Sequence, residues 1–227
     1  MGYAIMRFKK IKSIVTLNGI QRHNERRVPI KTLTNPQNEN INIMTNEIKN
    51  NCYGKTFSKI LKEKLGDNKP RRNSVLAMEF IFAYTPGCIK TENIKDWSVA
   101  SAKWLIDQFG ESNVISILQH NDEGNPHIHA VVLPILNNSL NCKHYVNGPA
   151  ACRAMQDSYY EAVKGYGDLQ RGINSKITHK VHESHLRWIA DNARKADELE
   201  MYKTTYGPLE KNISFKSEDY MQNEIAI

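Results

Sequence analysis

One segment constrains this chain more than any other: His120-Asn-Asp-Glu-Gly-Asn-Pro-His-Ile-His129. Apolar runs flank it, Val114-Ile115-Ser116-Ile117-Leu118 before and Ala130-Val131-Val132-Leu133 after. Short apolar runs rich in β-branched residues read as strands. Asp122, Gly124, Asn125 and Pro126 supply turn chemistry between them. The pattern predicts an antiparallel hairpin. Alternate residues of a strand share a face, so His127 and His129 point the same way. Pairing brings His120 opposite His127 or His129, and three imidazoles meet at one end of a buried hairpin. Three neutral nitrogen ligands leave positions open on a cation, as a catalytic metal site requires. A His-x-His pair alone is more often a polar strand end than a ligand set. His120, Glu123 and the turn shift the reading to a metal. His144, His182 and His185 lack such company and read as ordinary polar residues.

The rest of the chain supplies a frame for the hairpin. Residues 2–8 read as a short strand. Residues 14–50 are polar, Asn-rich and poorly periodic, and read as a long loop of the kind that carries function. Residues 57–65 read as a helix, and the apolar stretch 74–84 as a buried strand stopped by Pro86-Gly87. Residues 97–109 have helical spacing, with Trp97, Ala100, Trp104, Leu105 and Ile106 on one packing face. Residues 141–146 read as a short strand. Asn147 is placed to cap a helix reaching about residue 165, with Pro149 in its first turn. A further helix is expected over residues 179–199. This order predicts an α+β fold: a central antiparallel sheet, helices packed on one face and the histidines on the open face. Residues 1–200 are expected to form the domain, and 201–227 a C-terminal tail or the start of a linker.

The chain carries 31 Lys+Arg against 24 Asp+Glu, a formal charge of +7. That excess fits a nucleic-acid partner without requiring one. The cations crowd toward the N-terminus and recur at Lys69, Arg71 and Arg72. Cys52, Cys88, Cys142 and Cys152 form no Cys-x-x-Cys pair, which argues against a zinc ribbon and for reduced cytoplasmic thiols. No apolar run approaches the length of a bilayer span, and the start becomes basic too soon for a secretory signal.

A second constellation, Arg22-His23-Asn24-Glu25-Arg26-Arg27, suits phosphate chemistry. Arginine offers a bidentate fork to phosphate oxygens, and a neutral imidazole can act as base or nucleophile. With the downstream hairpin, the chain resembles the Mob/Pre family of plasmid mobilisation relaxases, the MobV type of the HUH endonuclease superfamily. Gly2-Tyr3 through Arg7 and Lys10-x-Lys12 look like the family's first strand. His23-Asn24-Glu25-Arg26 is similar to its His-Asn-Glu-Arg motif, and His120-x-x-Glu123-x-x-Pro126-His127-x-His129 to its metal signature. Arg171-Gly172, Ser175 and His179-Lys180 resemble a later block. Where family members commonly carry Asn-Pro-x-Arg-x-His-x-Asn, this chain reads Asn35-Pro36-Gln37-Asn38-Glu39-Asn40-Ile41-Asn42 and lacks the arginine and histidine. Members commonly extend into a coiled coil, so a truncated or minimal relaxase domain is expected here.

The resemblance implies a relaxase. Such an enzyme nicks one DNA strand at the origin of transfer of a plasmid or mobile element. It stays joined to the 5′ phosphate during conjugative mobilisation. His120, His127 and His129 would hold a divalent cation, manganese or magnesium by the resemblance, with zinc able to use the same donors. His23 is the implied nucleophile, Arg26 would neutralise phosphate charge, and Glu123 would either orient His23 or stand behind a metal ligand and keep the right nitrogen unprotonated. Tyr3, Tyr159 and Tyr160 are the alternative nucleophiles. Arg7, Lys10, Arg22, Arg27, Arg71, Arg72 and Lys180 are the expected DNA contacts. The DNA would be a hairpin or single strand near the nick, with the conjugation machinery as a further partner. Three other readings stay open: a tyrosine-dependent replication initiator or transposase, a non-catalytic sequence-specific DNA-binding module, and a zinc hydrolase of a small substrate. The last is disfavoured because the chain has no His-Glu-x-x-His helix.

Overall fold

The computed structural model describes residues 2–28 and 37–172. In chain order its elements begin with β1 (Gly2–Ile11), α1 (Ile14–Asn24), β2 (Ile41–Asn42), α2 (Asn46–Cys52), α3 (Phe57–Leu65) and β3 (Ala77–Tyr84). They continue with α4 (Ile94–Phe109), β4 (Val114–His120), β5 (His127–Val132), β6 (Ile135–Leu136) and β7 (Ser139–Leu140). The last are α5 (Cys142–Tyr145), α6 (Gly148–Val163) and β8 (Leu169–Arg171). Six strands form one sheet in the order β2-β4-β5-β3-β1-β8. Neighbours are antiparallel except for the edge pair β1–β8, which is parallel.

The pleat sorts the side chains. Met78, Phe80, Phe82 and Tyr84 of β3 join Ala4, Met6, Ile117, Ile128 and Ala130 on one face. Trp97, Trp104, Leu105 and Phe109 of α4 and Tyr159 and Val163 of α6 cover them. Ring pairs such as Phe82–Tyr159, with centroids 4.9 Å apart, lock this layer. Each large apolar side chain fully buried here contributes about 1.5–3 kcal/mol of transfer free energy. On the other face, Ile11, Ala77, Ile115, Val131 and Leu133 pack against Leu17 of α1 and Phe57, Ile60, Leu61 and Leu65 of α3. That cluster sits where β3 begins. The histidines share the same face but lie toward the end where β3 finishes, since Ile81 pairs with His129 and His120 with His127.

The α+β class and the central, largely antiparallel sheet are as expected. The expected packing of helices on one face describes α4 and α6, but α1 and α3 lie on the other. The loop expected over residues 14–50 is replaced, in its described part, by α1, β2 and α2. The buried positions of α1 are Leu17, Gln21 and Asn24, at helical spacing but mostly polar, so hydrophobic periodicity misses them. Gln21 seats the helix instead: its amide donates to the Lys55 carbonyl at 3.0 Å, and its oxygen accepts the Phe57 N–H at 2.9 Å. The strand expected over residues 141–146 is α5, because the Asn141 side chain accepts the His144 N–H and closes a helical turn. The strand expected from residue 74 starts at Ala77, and the helix expected from 97 starts at Ile94. Asn147 does occupy the cap position of α6, with proline in the first turn, but its side chain makes no capping bond. β8 was not anticipated. It can dock because Gly167 has no Cβ to strike the Cys88 carbonyl. The four cysteines are free thiols. The helix expected over 179–199, the boundary near 200 and Lys180 lie outside the described residues.

Candidate active site

His120 ends β4, His127 opens β5 directly opposite, and His129 follows on the same face. Ring centroids are 5.4 Å apart for His120–His127, 4.6 Å for His120–His129 and 5.1 Å for His127–His129. The end of α1 brings His23 alongside, 5.7 Å from His129 and 6.0 Å from His120. Two overlapping donor sets result. Ligand atoms of His23, His120 and His129 lie within 4.8 Å of one another, and so do those of His120, Glu123 and His127. His120 belongs to both.

Each hairpin imidazole is oriented through one nitrogen. His127 Nδ1 donates to the Asn125 carbonyl at 3.0 Å, and His129 Nδ1 to Glu79 Oε1 at 3.2 Å. Their Nε2 lone pairs are thereby left available as ligands, the role that outer partners play at metal sites. His120 Nε2 donates to the Asn24 carbonyl at 3.2 Å, so its Nδ1 carries the lone pair. That Nδ1 is buried and has no hydrogen-bond partner among the described residues. A buried acceptor left unpaired costs about 1–3 kcal/mol, and a cation satisfies it. Two donor sets therefore fit a divalent metal, each built on His120, and neither holds His127 and His129 together.

Burial drives the His120 pKa down to about 2, with the neighbouring His129, Arg26 and His127 adding to the effect against an opposing Glu123. Burial, then His127 and His23, holds His129 well below its ordinary value. Both rings are neutral at pH 7 and ready to ligate. The linkage sign follows. The unfolded chain takes up these protons near pH 6.5 and the folded one does not. Stability from this source is complete above that pH and falls below it, by about 1.4 kcal/mol per pH unit per histidine. The metal-free domain is expected to lose melting temperature steadily from pH 6.5 to 5, before most carboxylates titrate. A flat profile over that interval in a thermal scan contradicts the burial of both rings as neutral species.

The end of α1 is built to aim two side chains. Arg27 N–H bonds the Arg22 carbonyl at 2.8 Å and Arg26 N–H the His23 carbonyl at 3.1 Å, the Schellman pattern. Its left-handed position is held by Arg26, at φ 56°, where glycine is usual. The side chain explains the exception. Arg26 Nε and Nη2 grip the two oxygens of Asp122 at 2.8 and 2.5 Å, and Nη2 also lies 2.7 Å from Glu123 Oε1. Glu123 in turn lies 3.9 Å from His23 Nε2 and 3.8 Å from His127 Nε2. Burial alone would raise the Asp122 pKa, but hydrogen bonds from Arg26 and Asn40 and the Arg26 charge outweigh it and hold the carboxyl below its usual range. The arrangement is a hydrogen-bonded bracket that fixes a histidine beside a three-imidazole cluster.

A family model described as plasmid recombination enzyme (Mob_Pre) matches residues 1–187. The chain belongs to the plasmid recombination enzyme family. A plasmid recombination enzyme of a Bacillus species is 31% identical over 82% of this chain and 46% of its own length. A 65 kDa protein of Zymomonas mobilis is 27% identical over 98% of this chain and 38% of its own. The chain thus spans less than half the length of these curated relatives. Among solved structures, the MobM relaxase domain (MOBV; Mob_Pre), manganese-bound and in complex with plasmid oriT DNA, superposes with a TM-score of 0.66. It is 23% identical and is covered over 82% of this chain and 98% of that one. A second crystal structure of that domain, on a 23-nucleotide oriT DNA, gives 0.66 at 24% identity over 83% and 98%. These likenesses establish the fold.

Within this chain, the other expected site residues separate. Arg7 is exposed on β1 in the row of Ile81 and His129, and Arg22 and Arg27 are exposed around the end of α1. Lys10 pairs with Met78, whose side chain enters the α4–α6 layer, so it lies on the opposite face from the histidines. Arg71 and Arg72 are exposed in the loop before β3, beyond the far end of the sheet. The strand from Ala77 to Ile81 alone puts about 13 Å between that loop and the histidine row. Arg26 presents its fork to Asp122 and Glu123. Tyr159 is fully buried behind the sheet, its hydroxyl 3.1 Å from Ser101 Oγ and its pKa raised by burial. Tyr160 packs partly buried against the same layer. Tyr3 lies on the histidine face but on β1, two strands from β5. Sequence reasoning missed Glu79 and Asn40. Glu79 had a signal, a lone carboxylate in the apolar strand Ala77–Tyr84 that burial obliges to find a partner. Asn40 had none.

Proposed function

We propose that this chain is the catalytic domain of a metal-dependent relaxase that nicks one DNA strand at the origin of transfer of a plasmid or mobile element. The observation that carries the reading is the placement of His23: α1 delivers it to the rim of the His120–His127–His129 cluster, while Tyr159 is sealed behind the sheet. The manganese and oriT DNA bound by the MobM relaxase domain support it.

His120, His127 and His129 would hold Mn2+ or Mg2+, with Zn2+ able to use the same donors. A divalent cation there supplies Lewis acidity toward the scissile phosphate. The lone pair of a neutral His23 nitrogen attacks phosphorus, and the bond from phosphorus to the 3′ oxygen breaks. The 3′ oxygen leaves with the electron pair of that bond and takes up, as a hydroxyl, the proton that the phosphorylated imidazolium gives up. The 5′ phosphate remains on His23 as a phosphoramidate. The phosphoryl bond is exchanged rather than hydrolysed, so the strand can be rejoined. Glu123 orients His23. Arg26 serves by holding Asp122 and Glu123 in place, which its engaged fork favours over the phosphate contact expected from sequence. Arg7, Arg22 and Arg27 border the site and are the proposed backbone contacts for a hairpin or single strand near the nick. Arg71, Arg72 and Lys10 would touch DNA only away from the nick. Residues 1–200 are proposed as the relaxase unit and the bacterial cytoplasm as its location. Among the described residues, no helix is long and apolar enough to cross a membrane.

The test is incubation of the protein with supercoiled plasmid carrying its own mobilisation region and Mn2+. Expected is a nick in one strand at one position, with protein attached to the 5′ end. Specific binding without any nick, at any divalent cation, would instead establish the non-catalytic module.

A further inference from the structure

We infer that Asn40 is a positioning residue for the nicking reaction, holding the Asp122–Arg26–Glu123 bracket in register with the histidine cluster. This rests on the relaxase reading. Asn40 stands just before β2, the edge strand that pairs Ile41 with Gln119 and Asn42 with Leu118. Its side chain is used at both ends. Oδ1 accepts the Asn121 N–H at 2.8 Å, and Nδ2 donates to Asp122 Oδ2 at 2.8 Å. The same strap is tied to the turn twice more. Asn38 Nδ2 donates to the Asn121 carbonyl at 3.1 Å, and Asn121 Nδ2 to the Glu39 carbonyl at 2.8 Å. Asn121 itself is fixed by Gln119 Nε2 at 2.7 Å.

A contiguous path follows from these distances. Asp122 Oδ2 is shared between Asn40 and Arg26 Nε, and Oδ1 takes Arg26 Nη2. Arg26 Nη2 also engages Glu123, which faces both His23 and His127. Without Asn40 the carboxylate of Asp122 is restrained by Arg26 alone. It can then rotate and take the guanidinium, and with it Glu123, out of line. The task demands one donor and one acceptor on neighbouring atoms, which the carboxamide provides. An aspartate at this position keeps the acceptor but sets a second carboxylate against Asp122, and an alanine provides neither.

Mn2+ titration of the metal-free full chain, separate from nicking kinetics, tests this. Asn40→Ala is expected to weaken Mn2+ binding up to roughly 10-fold, the low end of the scale for losing an outer-shell partner, because Asn40 acts through Asp122, Arg26 and Glu123. It should lower kcat while leaving KM for DNA within about 2-fold, because bracket geometry and not DNA contact is lost. Asn40→Asp should be worse than Asn40→Ala in both. In an Arg26→Lys background, Asn40→Ala should add little, since the path is already broken. Wild-type Mn2+ affinity with a raised KM would overturn the inference and make Asn40 a DNA contact. Wild-type affinity with only a lower melting temperature would make it a structural tie. If the unaltered protein binds no Mn2+ at all, the relaxase reading itself falls, an outcome distinct from either.

Discussion

His23→Ala, which removes the proposed nucleophile, is expected to abolish the covalent protein–DNA adduct and lower nicking by roughly 10⁴-fold or more. Mn2+ and DNA binding should persist. His23 belongs to only one of the two donor sets, and the apolar clusters that hold the fold do not include it. Tyr159→Phe is the informative companion. Its hydroxyl reaches Ser101 behind the sheet, so the change should cost about 1 kcal/mol of stability and leave nicking near wild type. Mass spectrometry of the trapped adduct decides the matter independently. A phosphoramidate on His23 is lost in mild acid, whereas an aryl phosphodiester survives. An acid-stable adduct mapped to Tyr3 would move the chain to the tyrosine-dependent class.

Removal of His120 is the second large effect. His120 is shared by both donor sets, so His120→Ala breaks each of them. Mn2+ affinity should fall by more than about 100-fold, beyond the range of outer-shell losses, and nicking should fall with it. His127→Ala also removes a proposed ligand, but His23, His120 and His129 stay together as a donor set, so metal is retained at the nucleophile's expense and the loss of affinity should be smaller. Glu79→Gln keeps an oxygen for the His129 N–H but removes the charge behind the ring, and about 10-fold is expected. Equal losses for His120→Ala and His127→Ala in the same titration would contradict the shared position of His120.

Much of the site was legible because it is local. The His-x-His spacing fixes two imidazoles on one strand face, and the turn residues between Asn121 and Pro126 force the strands to fold back. Pairing alone puts His120 opposite His127 or His129, and the structure selects His127. The layer under α4 was readable for the same reason, since Trp97, Trp104 and Leu105 repeat at helical spacing and are all buried. What escaped is held by polar contacts between distant segments. α1 turns toward the sheet a face of Leu17, Gln21 and Asn24, and Gln21 finds its partners more than thirty residues away. Helix α3 was visible, but its packing on the histidine face was not, because periodicity gives a helix its apolar stripe and not the side of the sheet it covers.

The sequence by itself determined the hairpin and its three imidazoles, since these depend on residue spacing within a strand and a turn, and its motifs carried the resemblance to the family that matches residues 1–187. Only the tertiary structure decided how His23 is presented. Its approach requires α1 to end beneath β4, an Arg26 in a left-handed conformation to reach Asp122, and Glu79 from another strand to orient His129. It also put Tyr159 in the buried layer behind the sheet, since strand order and helix placement set which face of the sheet a tyrosine is buried on. Contacts of this kind join residues far apart in the chain, and nothing in local spacing encodes which of the available polar groups will be their partners.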